Sequence, residues 1–132
     1  MREILFRGQY RRYGEKVRMD GTKLPSKWVY GGVLQGKGDF SIIYGAESED
    51  SRIDKHSVYT DTLGEYTGTK DKNGVKIFEG DIVKFDGRYY EVRYGMGQFC
   101  FGINMPVAYK RFEIEVIGNI HDNKIEDFED GR

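Results

Sequence analysis

The sequence is short of the residues that build helices. Two alanines and four leucines occur among 132 residues. That supply excludes a helix bundle or a coiled coil, which need long periodic runs of good helix formers. A single cysteine, Cys100, excludes an internal disulfide and fits a reducing compartment. The two histidines, His56 and His121, stand far from each other in the sequence, and no cluster of Cys or His has zinc-site spacing. No apolar run approaches the ~18 residues of a membrane-crossing helix, and the apolar run near the N-terminus is too short for a signal peptide. No charge of one sign dominates: 21 Lys and Arg stand against 22 Asp and Glu, for a net charge of -1. The basic excess of a dedicated nucleic-acid binder is therefore missing overall. These absences read as a cytoplasmic chain with no membrane partner.

What is present is glycine, aromatics and β-branched residues: 18 Gly, 10 Tyr, 8 Phe, 11 Ile and 9 Val. This mixture predicts short strands joined by tight turns. Residues 4–6 open a first strand. Residues 7–27 are polar and turn-rich, with a strand fragment expected over residues 10–13. Residues 28–34 and 39–44 form a hairpin around Gly36 and Gly38, and the Gly31-Gly32 pair invites a bulge or a close backbone approach. Residues 45–55 read as a charged loop, and residues 57–62 as a further strand. Asn73-Gly74 is the strongest hairpin signal, predicting a type I′ turn with positive φ at both residues. Beyond it come alternating segments over residues 81–85, 88–94, 98–103 and 113–117, separated by turns at Asp86-Gly87 and residues 95–97. Phe99, Phe101 and Ile103 are placed on one face, with Cys100 on the other as a small packed group. Helix is confined to one turn at residues 109–112 and a frayed end near residues 124–129. The predicted fold is mainly β: an N-terminal hairpin-rich β region with a basic loop over residues 1–63, a C-terminal SH3-like small β-barrel over residues 64–123, and a frayed acidic tail over residues 124–132.

The search for chemistry finds no catalytic residue, no metal site and no cofactor site. Asp71-Lys72-Asn73-Gly74 has the look of a calcium loop, but the position that needs a bidentate Glu is Gly80. Asp71 and Asn73 are therefore read as turn formers whose side chains bond the backbone. Glu79 and Asp81 flank Gly80, a turn-type residue, and are read as turn caps and not as a catalytic carboxylate pair. The glycines in Gly36-x-Gly38 and Gly95-x-Gly97 lack the strand–loop–helix context of a phosphate loop. Charge is uneven, however. Residues 1–27 hold eight basic groups and three acids, and residues 121–132 hold five acids and two bases. Arg7, Arg11 and Arg12 with Tyr10 and Tyr13 are the candidate contacts for a nucleic acid or another partner, through phosphate contacts and stacking.

Four segments taken in order carry a resemblance: residues 2–8 (REILFRG), residues 28–31 (WVYG), residues 64–83 (GEYTGTKDKNGVKIFEGDIV) and residues 116–123 (VIGNIHDN). Together they resemble the YopX family of phage and prophage proteins. The resemblance implies a mainly β chain with a barrel-like C-terminal half, at work in a host bacterial cytoplasm, and it brings no catalytic residues with it. The motif residues Gly68, Asp71, Asn73, Gly74, Gly80, Asp81, Gly118 and Asn119 are of the types that specify turns, and are read as fold-specifying. Two readings of function follow. One is a non-enzymatic phage accessory protein acting through a protein partner or through self-association, resting on the aromatic content. The other is a nucleic-acid-associated regulatory protein using the basic N-terminal strip.

Overall fold

A computed structural model describes residues 3–9, 28–45 and 54–129. The chain divides into two compact units, residues 4–64 and residues 65–132, the latter joined by residues 1–3.

The N-terminal unit is an antiparallel meander of β1 (Phe6–Gln9), β2 (Trp28–Leu34), β3 (Phe40–Gly45) and β4 (Asp54–Tyr59), in spatial order β4-β3-β2-β1. A 3-10 turn at Thr60–Thr62 follows. Alternation along β3 sends Ser41 and Ile43 inward, and Ile43 packs with Val29 and Val58 under Phe6, Val33 and Leu63. His56 lies in β4 opposite Ile43. The first strand is centred later than its apolar triplet, on residues 6–9, because those residues pair with β2. Gly31 is the close approach that its paired glycines suggest: a Cβ there would lie 1.8 Å from the Tyr44 carbonyl oxygen.

The C-terminal unit begins with β5 (Gly64–Lys70) and β6 (Lys76–Phe78), an antiparallel pair in which Tyr66 lies opposite Phe78. It continues with β7 (Asp81–Phe85), β8 (Arg88–Glu91), β9 (Arg93–Gly95), β10 (Gln98–Phe101), β11 (Met105–Pro106), the one-turn helix α1 (Val107–Lys110), β12 (Glu115–Asn119) and helix α2 (Ile125–Glu129). Two three-stranded antiparallel sheets result, β12-β7-β8 and β11-β10-β9. Among the described residues the ladders do not close into a barrel. Val92 separates β8 from β9; its N–H donates to the Asp81 carbonyl and its own carbonyl accepts from Gly80. Ile77, Val83, Val92, Phe101, Val107 and Ile114 form the buried core, with Phe85, Tyr90, Phe99, Met105 and Val116 against it. Among the described residues, no helix is long and apolar enough to cross a membrane.

Two local expectations change. The type I′ turns are at Asp86-Gly87 (φ 50 and 76) and Met96-Gly97 (φ 54 and 78), not at Asn73-Gly74, where only Gly74 has positive φ (80). The Asp71 carboxylate accepts the N–H groups of Asn73 and Val75, so residues 71–74 form an ordinary turn closed by Gly74 N–H on the Asp71 carbonyl. Ile103 does not share the inner face with Phe99 and Phe101: β10 ends at Phe101, Gly102 turns the chain at φ 59, and Ile103 is 98% exposed. The helical candidate near residues 124–129 is met by α2, in which Phe128 stacks on Tyr89 at 5.7 Å.

Candidate functional site

The two long motifs of the C-terminal half meet through β7 and β12, which pair with Asp81 opposite Asn119. Asp71 is 5% exposed and reaches across to β12, where its Oδ2 accepts the Val116 N–H at 2.8 Å. The register there slips between Val116 and Gly118, leaving Ile117 as the extra residue of a bulge. Asp81 is fully buried and its Oδ2 accepts the Phe78 N–H at 2.7 Å. Gly80, at φ 91, passes its carbonyl to Ile120 N–H. Asn119 Oδ1 accepts from the N–H groups of His121 and Asp122, and its amide donates to Asp122 Oδ2. A Cβ on Gly118 would meet Asn123 Oδ1 at 2.5 Å. The carboxylates of Asp71 and Asp81 and the Asn119 side-chain oxygen are thus spent on backbone N–H groups of the fold.

The open space lies next to them. A cleft of about 540 Å³ is lined by Glu65, Thr67 and Thr69 of β5, by Glu79 in the β6–β7 turn, by Tyr94, Gln98 and Phe99 of the β9–β10 hairpin, and by the start of α1 at Val107 and Ala108. A bulge shapes its floor. Between the pairs Tyr66–Phe78 and Lys70–Lys76, three residues of β5 face one of β6, and Gly68 takes φ 86. Thr67 Oγ1 accepts the Thr69 N–H across that bulge. Residues 65, 67 and 69, at alternate positions of β5, all line the cleft. Tyr66 lies on the other side, 5.5 Å from the Phe78 ring. On the opposite wall Tyr94 and Phe99 meet edge to face at 5.1 Å, and Tyr94 is 59% exposed.

Glu79 is half-buried, and loss of water holds its carboxyl above the usual carboxylate range. A hydrogen bond from the Glu65 backbone opposes this shift, while the negative charges of Glu65 and Glu91 reinforce it. The lining of the cleft thus includes two carboxyl groups, Glu65 and Glu79, and two rings, Tyr94 and Phe99.

The remaining predicted residues divide. Arg7 is 6% exposed, with its guanidinium 4.6 Å over the Trp28 ring. It is thus a packed residue of the N-terminal sheet. Tyr10, Arg11, Arg12 and Tyr13 lie outside the described residues. Cys100 is buried, its Sγ 3.9 Å from Asn104 Oδ1. Among the described residues, no group of three His, Cys, Asp or Glu side chains is placed to hold a metal ion. Sequence reasoning passed over Glu65, Glu79, Tyr94 and Phe99 as a site. The signal for part of it was there: in GEYTGTK the polar residues recur at every second position, on one side of a strand.

The sequence model described as YopX protein matches residues 26–125. A solved structure, that of protein EF1440 from Enterococcus faecalis, is similar at 24% identity, covering 93% of this chain and 96% of that one, with a TM-score of 0.48. No curated protein matches the chain.

Proposed function

The chain belongs to the YopX family, and from that premise we propose that it is a phage accessory protein that catalyses no reaction and works by binding a protein partner through the cleft between β5, the β9–β10 hairpin and α1. One observation carries this reading: an exposed Tyr94, braced by Phe99, stands over a pocket with two carboxylates on its lining. Aromatic side chains with a wet edge and a packed body are typical anchors of protein interfaces. Asp71 and Asp81 accept backbone hydrogen bonds and Cys100 is buried, which favours a structural role for all three over a chemical one. We also read the C-terminal unit as SH3-like, because two three-stranded sheets share one core.

Capture of binding proteins from host-bacterial lysate tests the reading, with Tyr94→Ala as the comparison and light scattering to detect self-association. The expected result is a partner, or a second copy, held by the wild-type chain and released by Tyr94→Ala. A strict monomer that retains nothing, or retention unchanged by the substitution, overturns it.

A further inference from the structure

We propose that Asn73 is a site of spontaneous covalent modification. Its side chain cyclises onto the Gly74 nitrogen, the ring hydrolyses to aspartate and isoaspartate, and the isoaspartate loosens the tie between the β5–β6 turn and β12.

The step consumes only water. The Gly74 amide nitrogen gives up its proton and attacks the Asn73 side-chain carbonyl carbon, Cγ. A C–N bond forms, the bond from Cγ to Nδ2 breaks, and ammonia leaves with the proton. Water then opens the five-membered imide. Opening at the main-chain carbonyl leaves the chain running through Cβ and Cγ, as isoaspartate; opening at Cγ leaves aspartate.

Four asparagines occur in the chain, and only Asn73 precedes a glycine. Met105, Ile120 and Lys124 follow the others, and their side chains crowd the attacking nitrogen as glycine does not. The fold sharpens the contrast. Asn73 and Gly74 are exposed, and a Cβ on Gly74 would meet nothing within 4 Å, so no neighbour blocks ring closure. The other three side chains are held: Asn104 Oδ1 accepts from Arg93, Asn119 is bonded through both its oxygen and its amide, and Asn123 Oδ1 accepts the Asn119 N–H. One contact slows the step at Asn73. The Gly74 N–H donates to the Asp71 carbonyl at 3.0 Å, so its nitrogen attacks only when the turn opens. Local opening of an exposed turn costs far less than global unfolding. The folded chain therefore reacts more slowly than a free peptide, and still reacts.

The product acts on the Asp71 clasp. Asp71 Oδ1 accepts the N–H groups of Asn73 at 2.8 Å and Val75 at 2.9 Å, while Oδ2 holds the Val116 N–H at 2.8 Å. Isoaspartate inserts a methylene into the main chain between the two donors on Oδ1. It also adds a carboxylate two residues from buried Asp71. The spacing that lets one carboxylate take both donors is lost, and like charge opposes what remains.

The test is incubation of the full chain in warm, mildly alkaline buffer, beside the peptide acetyl-Lys-Asn-Gly-Val-amide and the Asn73→Gln variant, whose longer side chain closes the ring far more slowly. Peptide mapping reads the mass gain of amide-to-acid conversion at each asparagine, and enzymatic methylation of isoaspartate reads the rearranged product. The expected result is conversion at residue 73 ahead of residues 104, 119 and 123, slower than in the peptide, with isoaspartate among the products. Chains separated by charge after incubation should melt about 4 °C or more below the fresh chain, while incubated Asn73→Gln keeps its melting temperature. Three results overturn the proposal: residue 73 unmodified when the peptide has fully converted, conversion with an unchanged melting temperature, or an equal fall in incubated Asn73→Gln.

Discussion

Asp71 Oδ2 accepts a hydrogen bond from the Val116 backbone N–H at 2.8 Å, across 45 residues of chain. The same carboxylate closes its own turn through the N–H groups of Asn73 and Val75. One buried side chain thus both forms the β5–β6 connection and ties it to the bulged strand β12. Asp71→Asn places an amide N–H against the Val116 N–H or against the turn. The expected loss is roughly 2–3 kcal/mol, the cost of an unsatisfied buried donor. Urea denaturation followed by circular dichroism checks it, and a change within about 0.5 kcal/mol, the size of an ordinary surface substitution, would remove Asp71 from this role.

Gly31 admits no side chain, because a Cβ would overlap the Tyr44 carbonyl. Gly31→Ala should force β2 away from β3 and cost about 2 kcal/mol or more, as overpacking against backbone does. Gly32, its neighbour, has open space at the same position, so Gly32→Ala is the matched control. Trp28 fluorescence during thermal unfolding separates the two; equal midpoints would show that the close approach is not a constraint.

Glu79 gives the stability a pH dependence of known sign. Its folded carboxyl is raised above the unfolded value by burial and by the charges of Glu65 and Glu91. Protonation is therefore favoured by folding, and this contribution is present at low pH and lost as pH rises through the folded pKa. Glu79→Gln should match the wild type near about pH 3 and become the more stable form toward about pH 7, where the wild-type carboxylate is charged in a poorly solvated place. Melting temperatures of both proteins over that range test this. A difference that stays constant with pH would show that Glu79 is as well solvated in the folded chain as in the unfolded one.

Phe128 stacks on Tyr89 and so joins α2 to β8. Phe128→Ala should release the helix at a cost of about 1 kcal/mol beyond the lost area, the usual worth of an aromatic pair. Limited proteolysis should then cut within residues 124–129 much faster than in the wild type, while cleavage elsewhere is unchanged. Unchanged resistance there would mean that other contacts hold the segment.

The strand content, the tight turns and the absence of long helices follow from composition and alternation, which are local properties of the chain. Asp86-Gly87 needs no partner to turn. Asn73-Gly74 is different. It carries the same turn chemistry, but its conformation depends on a carboxylate two residues earlier and on a strand 45 residues later. Local reading cannot see that second contact. Ile103 fails for the same reason: alternation predicts its face only while the strand continues, and Gly102 ends it. The turn residues were legible by type, because Gly, Asp and Asn have distinctive backbone and capping behaviour. The cleft was not. Glu65 and Glu79 are 14 residues apart in sequence, and Tyr94 and Phe99 look like ordinary strand aromatics until the hairpin turns them over β5. Sequence by itself determined the kind of element and the chemistry of its turns, since both arise from neighbours along the chain. Only the tertiary structure decided that Arg7 is packed and that two carboxylates and two rings face one space, because burial and shared field depend on segments brought together by folding.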